Sequence, residues 1–232
     1  MAQQPQVIPM PQLQLKQKLV DAIRMLERAD YIDHNGHCSA RRDASSFYIN
    51  SGASARGALT VDDIVAVDLD GKLVEGTAKP PLEFPIHAEV YRVRPDVNAV
   101  FHTHPKWSTF LTMTGVKYQP VYAQGVLLGD IPLMDSPLSV NSRAQGEKMA
   151  AILGKNPAVL LKAHGVVAVG ADIVECFALA AYVEENAYRQ YMAMQIGEPY
   201  VFSEEEQKAC REKLWTPSLF KKTWDHYHSK IK

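Results

Sequence analysis

Two histidines one residue apart, His102 and His104, lie in the apolar run VNAVFHTHPK from Val97 to Lys106. In an extended strand successive side chains point to opposite faces, so Val100, His102 and His104 share one face while Ala99, Phe101 and Thr103 share the other. Imidazoles at i and i+2 stand roughly 6 to 7 Å apart, close enough for both to reach one metal ion. The alternative is a pair of sheet histidines satisfied by backbone or water. A third histidine, His164, closes the buried apolar run VLLKAHG, where an unpaired ring would cost free energy and a metal would satisfy it. Three neutral imidazoles from two strands form a catalytic type of site, because three protein ligands leave coordination positions open for a substrate.

Glu83 precedes His102 by 19 residues and stands at the start of a helix. There it either complements the helix dipole or serves as a general acid or base, or a displaceable metal ligand, at the mouth of the site. His87 falls one turn later on the same face. A second polar cluster, HNGHCSAR from His34 to Arg41, combines a glycine that permits close backbone approach with His, Ser and Arg side chains suited to carboxylate or hydroxyl groups. A solvated loop with a capping serine is the competing reading. Cys38 beside His37 has no third group in the local sequence to orient it, so covalent catalysis is set aside.

The elements that must position these residues follow from periodicity. Leu15, Leu19, Ile23 and Leu26 recur at helical spacing within Leu13 to Ala29. The polar stretch YIDHNGHCSARRD reads as loop, SSFYIN as a strand, and Ile64 to Leu69 with Asp70-Gly71 and KLVEG as a hairpin. A helix follows TAKPPLE, tolerating Pro85 in its first turn and ending at Arg94-Pro95. TFLTMTG is ambiguous, and PVYAQGVLLGDIPLMD reads as short strands around a glycine loop. Ser142 to Leu153 is helical, Pro157 to Val169 is a pair of buried strands broken at Gly165, and a long helix runs from Asp172 to about Gln195, followed by a charged helical tail from Ser203. The expected fold class is α/β in three layers, a central, mostly antiparallel sheet flanked by helices.

Composition narrows the classes. With 25 basic and 26 acidic residues interspersed among 232, no polybasic field exists to hold nucleic acid or an anionic membrane, so a small-molecule substrate or another copy of the chain is the expected partner. Apolar residues make up 47% and charged residues 22%, ordinary values for a globular protein. Three widely spaced cysteines argue against a disulfide framework, and together with the lack of a signal-like N-terminus they give a cytoplasmic expectation. Residues 1–12 read as a flexible arm and residues 13–232 as one domain. No dinucleotide, P-loop or serine-hydrolase motif is present.

Glu83, then His102-Thr103-His104, then Ala163-His164-Gly165, resemble the class II aldolase/adducin family of the fuculose-phosphate aldolase type. GHCSAR resembles that family's glycine-rich loop, and Asn50-Ser51-Gly52 its TPTG-like turn. The resemblance implies a class II aldolase-like fold and a homotetramer with active sites at subunit interfaces. It also implies one divalent ion per subunit, Zn, Mn, Fe or Co with Zn and Mn foremost, on His102, His104 and His164. Glu83, His37 and Tyr122 are the implied catalytic residues, Tyr122 acting from a neighbouring subunit. His34, His37, Arg41, Asn50, Ser51, Gly52 and Leu82 are the candidates for binding substrate.

Two departures bear on the substrate. The family's sugar-phosphate aldolases have Asn after the loop glycine and a Ser-Ser pair before the Glu, whereas this chain has His37 and Pro81-Leu82. Pro81 has no N–H and Leu82 no hydroxyl, so a phosphate would lose donors. The loop is similar instead to the branch of metal-dependent decarboxylases of hydroxylated aromatic acids. The expected function is decarboxylation of a non-phosphorylated hydroxy aromatic or heteroaromatic acid, through a carbanion or enolate stabilised at the metal site. The alternatives are retro-aldol cleavage of a non-phosphorylated hydroxy-keto substrate, or an adducin-like binding domain without catalysis, which would not need all four of Glu83 and the three histidines.

Overall fold

The computed structural model describes residues 12–231. The expected N-terminal arm, residues 1–12, lies outside them except for Gln12, which opens the first helix, α1 (Gln12–Arg28). That helix turns Leu19, Val20, Ala22, Ile23, Met25 and Leu26 inward, the face its periodicity predicts. Burying each of its large apolar side chains contributes roughly 1.5 to 3 kcal/mol.

Eight strands form one sheet: β1 (His37–Arg41), β2 (Ser46–Asn50), β3 (Ile64–Asp68), β4 (Leu73–Glu75), β5 (Ala99–Thr103), β6 (Leu133–Met134), β7 (Ala158–Leu161) and β8 (Gly165–Gly170). Their spatial order is β4-β3-β2-β1-β5-β8-β7-β6, and every neighbouring pair is antiparallel except β6 with β7. One face packs against α1, α5 (Ile173–Met194) and Trp224 of the helix Pro217–His228. The other packs against α2 (Phe84–Val93) and α4 (Arg143–Leu153). The three-layer α/β architecture expected from the sequence is thus the one observed.

Three segments differ from their sequence reading. The polar HCSAR forms strand β1 at the centre of the sheet, where a loop was expected. Its apolar residues Cys38 and Ala40 join the core under α1, while His37 and Ser39 find polar partners on α2, so the strand lacks the apolar alternation that would have marked it. The ambiguous segment after His104 is helix α3 (Lys106–Thr114), whose first turn is capped from outside. The Glu184 carboxylate of α5 accepts from the backbone N–H groups of Trp107 and Ser108 at 2.7 and 2.9 Å and from Ser108 Oγ at 3.0 Å. In PVYAQGVLLGDIPLMD only Leu133–Met134 is strand, and Gly125–Leu127 is a short 3-10 turn. Side chains of α5 hold the approach to it: Gln190 and Asn186 accept from the Gln119 and Val121 backbone, pairings that local sequence does not encode.

Candidate metal centre

The sheet brings the two histidine segments together because β5 and β8 are neighbouring strands, with Thr103 paired to Val166. His102 occupies β5, His104 follows immediately after it, and His164 lies in the turn between β7 and β8 rather than within a strand. That turn is tight: Ala163 has φ 51°, and a Cβ on Gly165 would stand 2.2 Å from the Thr103 carbonyl oxygen. A glycine after His164 therefore lets the turn lie directly on the histidine strand. Glu83 is the residue before α2, where the chain turns into the helix at Phe84-Pro85. One ligand atom each from Glu83, His102, His104 and His164 lies within 4.8 Å of all the others.

Hydrogen bonds behind the rings fix which nitrogens face the crevice. His102 Nδ1 is 3.1 Å from the Val166 carbonyl oxygen and His104 Nδ1 is 3.0 Å from Asp33 Oδ1. Both partners only accept, so each Nδ1 carries the ring's hydrogen and each Nε2 presents a lone pair. Those two Nε2 atoms are 3.0 Å apart. Lone pairs at that distance repel unless a cation lies between them, and carboxylate or carbonyl partners on the far nitrogen are the usual backing of metal-bound histidine. Glu83 adds negative charge: its Oε2 is 3.6 Å from His102 Nε2 and its Oε1 3.8 Å from His164 Nε2. The donor set therefore fits a divalent ion.

The electrostatics favour the forms a metal needs. Burial, with the neighbouring histidines, holds His102 well below the ordinary histidine range, and burial likewise lowers His164, so these rings are neutral. Burial pushes the Glu83 carboxyl upward, but the adjacent His37 and His164 rings and the Val140 backbone N–H, 2.9 Å from Oε1, outweigh it and bring the pKa down to about 2. The carboxylate is ionised across the physiological range.

His37 pairs directly across the sheet from His102 in the β1–β5 register. Its Nδ1 is 2.7 Å from His87 Nε2, and His87 Nδ1 is 2.6 Å from Ser39 Oγ, which in turn is 2.8 Å from Tyr91 Oη. All four groups are buried. The chain ends at His37 Nε2, which has no hydrogen-bond partner and lies 3.7 Å from Glu83 Oε2. One polar atom is thereby left free at the crevice on a ring held rigidly from behind.

The other candidates divide. His37, Gly52 and Leu82 line a cavity of about 370 Å³ together with Glu83, His104 and His164. His34 lines an adjoining cavity of about 550 Å³ that shares Gly52, Arg56 and His104 with the first. Arg41 is not at the site. Its guanidinium donates to the backbone carbonyls of Val97, Tyr91 and Arg94, because it lies at the opposite end of β1 from His37. Asn50 is fully buried, accepting from the Cys38 N–H and donating to the Ser51 carbonyl, and Ser51 Oγ accepts from the Ser54 N–H. Both shape the turn without lining the cavity. Tyr122 lines a separate cavity with Arg189, whose guanidinium stacks 4.0 Å from the ring centroid, and so is not brought to the site of its own chain. Sequence reasoning missed Asp33, which backs His104, and Arg56, which lines both cavities. The only signal for Arg56 was a lone cation among the small residues of SGASARG.

Residues 17–191 match the family described as Class II Aldolase and Adducin N-terminal domain. The chain belongs to this family. Among its class II aldolase relatives, the L-fuculose phosphate aldolase of Methanocaldococcus jannaschii is 30% identical over 175 residues, 74% of this chain and 93% of the relative. The 3,4-dihydroxyphthalate decarboxylase of Arthrobacter keyseri is 31% identical over 166 residues, 66% of this chain and 67% of the relative. The solved L-fuculose 1-phosphate aldolase from Glaciozyma antarctica PI12 superposes with a TM-score of 0.84 over 97% of this chain and 93% of that one, at 21% identity, a likeness of fold. Class II aldolase membership makes a carbon–carbon lyase plausible and leaves aldol cleavage and decarboxylation to be distinguished.

Proposed function

We propose that this protein is a divalent-metal-dependent decarboxylase of a non-phosphorylated, hydroxylated aromatic or heteroaromatic carboxylic acid. The observation that carries the reading is one wall of the cavity: Pro80, Pro81 and Leu82 line it immediately before Glu83, offering no hydroxyl and, at the prolines, no N–H to a phosphate, which leaves Ser139 as the hydroxyl side chain of the lining. Leu82 is 82% exposed, an apolar surface suited to a ring.

A divalent ion held by His102, His104 and His164 supplies Lewis acidity toward adjacent substrate oxygens. The chain's own groups do the rest. Glu83, ionised, takes the proton of the ring hydroxyl and returns it to the ring carbon once CO₂ has left, so the proton is conserved within the site. His37 Nε2, a buried polar atom without a hydrogen-bond partner, holds a substrate oxygen on a ring that His87 keeps from turning. Among the described residues no helix is long and apolar enough to cross a membrane. The remaining parts of the proposal are a cytoplasmic location, which suits three free cysteines, and a homotetramer in which Tyr122 acts at a neighbouring subunit's site.

Incubating the metal-loaded protein with a panel of hydroxybenzoates, hydroxyphthalates and hydroxypyridine carboxylates, and separately with non-phosphorylated hydroxy-ketones, distinguishes the products. CO₂ release supports the proposal. Aldehyde release without CO₂ replaces it with the second reading, retro-aldol cleavage, which is favoured by the fuller coverage of the aldolase relative, 93% of its length against 67%.

A further inference from the structure

Arg56 is 4% exposed, yet no carboxylate of the described residues pairs with it. Its guanidinium donates to the backbone carbonyls of Gly36 at 2.6 Å, Ser51 at 3.3 Å, Asn35 at 3.4 Å and Ser54. Carbonyls satisfy hydrogens without cancelling charge, and a desolvated cation lacking an anion is costly. Neither of the ionisable groups that act on it, Cys38 and Asp33, makes an ion-pair contact with it. The Cys38 thiol is pushed well above its ordinary range by burial and is neutral. Asp33 is engaged elsewhere, its Oδ1 accepting from His104 Nδ1 at 3.0 Å and from the Asn35 N–H at 2.7 Å. Nη1 also reaches Ser54 Oγ at 3.4 Å, whereas Nη2 donates only to Asn35, so one of its two hydrogens has no acceptor among the described residues.

The open side of Arg56 is the cavity. It lines both the compartment containing Glu83 and His164 and the adjoining one, with Gly52 and His104 as the other shared walls. The side chain is clamped by loops 35–36 and 51–54, so it enters the cavity in a fixed orientation at little further entropic cost.

We propose that Arg56 is an oxyanion subsite, holding a substrate carboxylate that is retained through the reaction while the reacting end of the molecule lies against His102, His104 and His164. The inference rests on the reading of the substrate as a non-phosphorylated acid and adds that the acid has a second anionic group.

The test is calorimetric titration of the metal-loaded full chain with catechol, 2,3- and 3,4-dihydroxybenzoate, and inorganic phosphate. At least one dihydroxybenzoate should bind about tenfold to a hundredfold more tightly than catechol, the range of one charge-assisted contact. Arg56→Gln should bring that ligand to the catechol level, leaving catechol affinity and bound metal unchanged. Absence of the preference in the unaltered protein, or its survival in Arg56→Gln, overturns the proposal. Arg56-dependent binding of phosphate in place of carboxylate overturns both it and the non-phosphorylated reading. Should Arg56→Gln not fold, Arg56→Lys keeps the cation but loses the planar fork, and should weaken dihydroxybenzoate binding selectively. An equal loss for both ligands would then overturn the proposal. CO₂ release is read separately, so decarboxylation can stand if the subsite fails.

Discussion

His102 Nε2 and His104 Nε2 are 3.0 Å apart, and both rings have already committed their hydrogens to acceptors behind them. That pair of facing lone pairs is the arrangement a cation relieves, and the predictions begin from it.

Asp33 backs His104 through its Nδ1 hydrogen. Asp33→Asn should therefore leave the fold intact and weaken zinc affinity about 10- to 100-fold, the usual cost of losing the carboxylate behind a metal-bound histidine. Competition with a chromophoric chelator measures it. Unchanged affinity would mean that His104 is not a ligand.

Gly165 lies where any Cβ would meet the Thr103 carbonyl at 2.2 Å. Gly165→Ala should push the His164 turn off β5, lowering the melting temperature and reducing metal stoichiometry together. A stable variant with full metal content would show that the close approach is dispensable.

His87 holds His37 from behind. His87→Leu leaves His37 Nδ1 without its partner in a dry interior, while Ser39 Oγ keeps Tyr91 Oη, which should cost roughly 1 to 3 kcal/mol. It should also lower kcat with bound metal unchanged, and His87→Gln should restore part of both. Denaturant titration with steady-state kinetics on the three proteins decides; a kcat unaffected by His87→Leu would remove His87 from any positioning role.

Pro81 and Leu82 stand where a phosphate would need donors. The double variant Pro81→Ser, Leu82→Ser should gain affinity for inorganic phosphate while losing affinity for hydroxy aromatic acids, read by competitive inhibition. No change in either would leave this wall without a part in specificity.

The Glu83 carboxyl, ordinarily near 4.5, is held at about 2 in the fold. A carboxyl depressed in this way stabilises the fold above its unfolded pKa and loses that contribution as pH falls toward its folded value. In chelator-stripped protein the stability lost between about pH 4.5 and 2 should therefore be smaller in Glu83→Gln than in the unaltered chain, as followed by thermal melts across that window.

How much was legible beforehand depends on how local the signal is. Alternation in VNAVFHTH and the helical spacing of Leu15, Leu19, Ile23 and Leu26 report burial that neighbouring residues share, so β5 and α1 were readable. His164 and Glu83 stood out by residue type, a histidine closing an apolar run and a carboxylate at a helix start, and the resemblance joined them to His102 and His104. Strand β1 was not readable, because its polar face is satisfied by His87 and Tyr91 about fifty residues away and so shows no apolar alternation. For the same reason Arg41 looked like a substrate ligand while its partners are backbone carbonyls of Tyr91, Arg94 and Val97.

The sequence by itself determined the candidate ligand types, the layered α/β class and the lack of hydroxyls at Pro81 and Leu82, since these follow from residue identity and short-range period. Only the tertiary structure decided which ring nitrogens face one another, that His37 is held from behind by His87, and that Arg56 rather than Arg41 lines the cavity. Those depend on cross-strand register and on loops packed from distant parts of the chain, where the energy of each contact belongs to two segments and is written in neither alone.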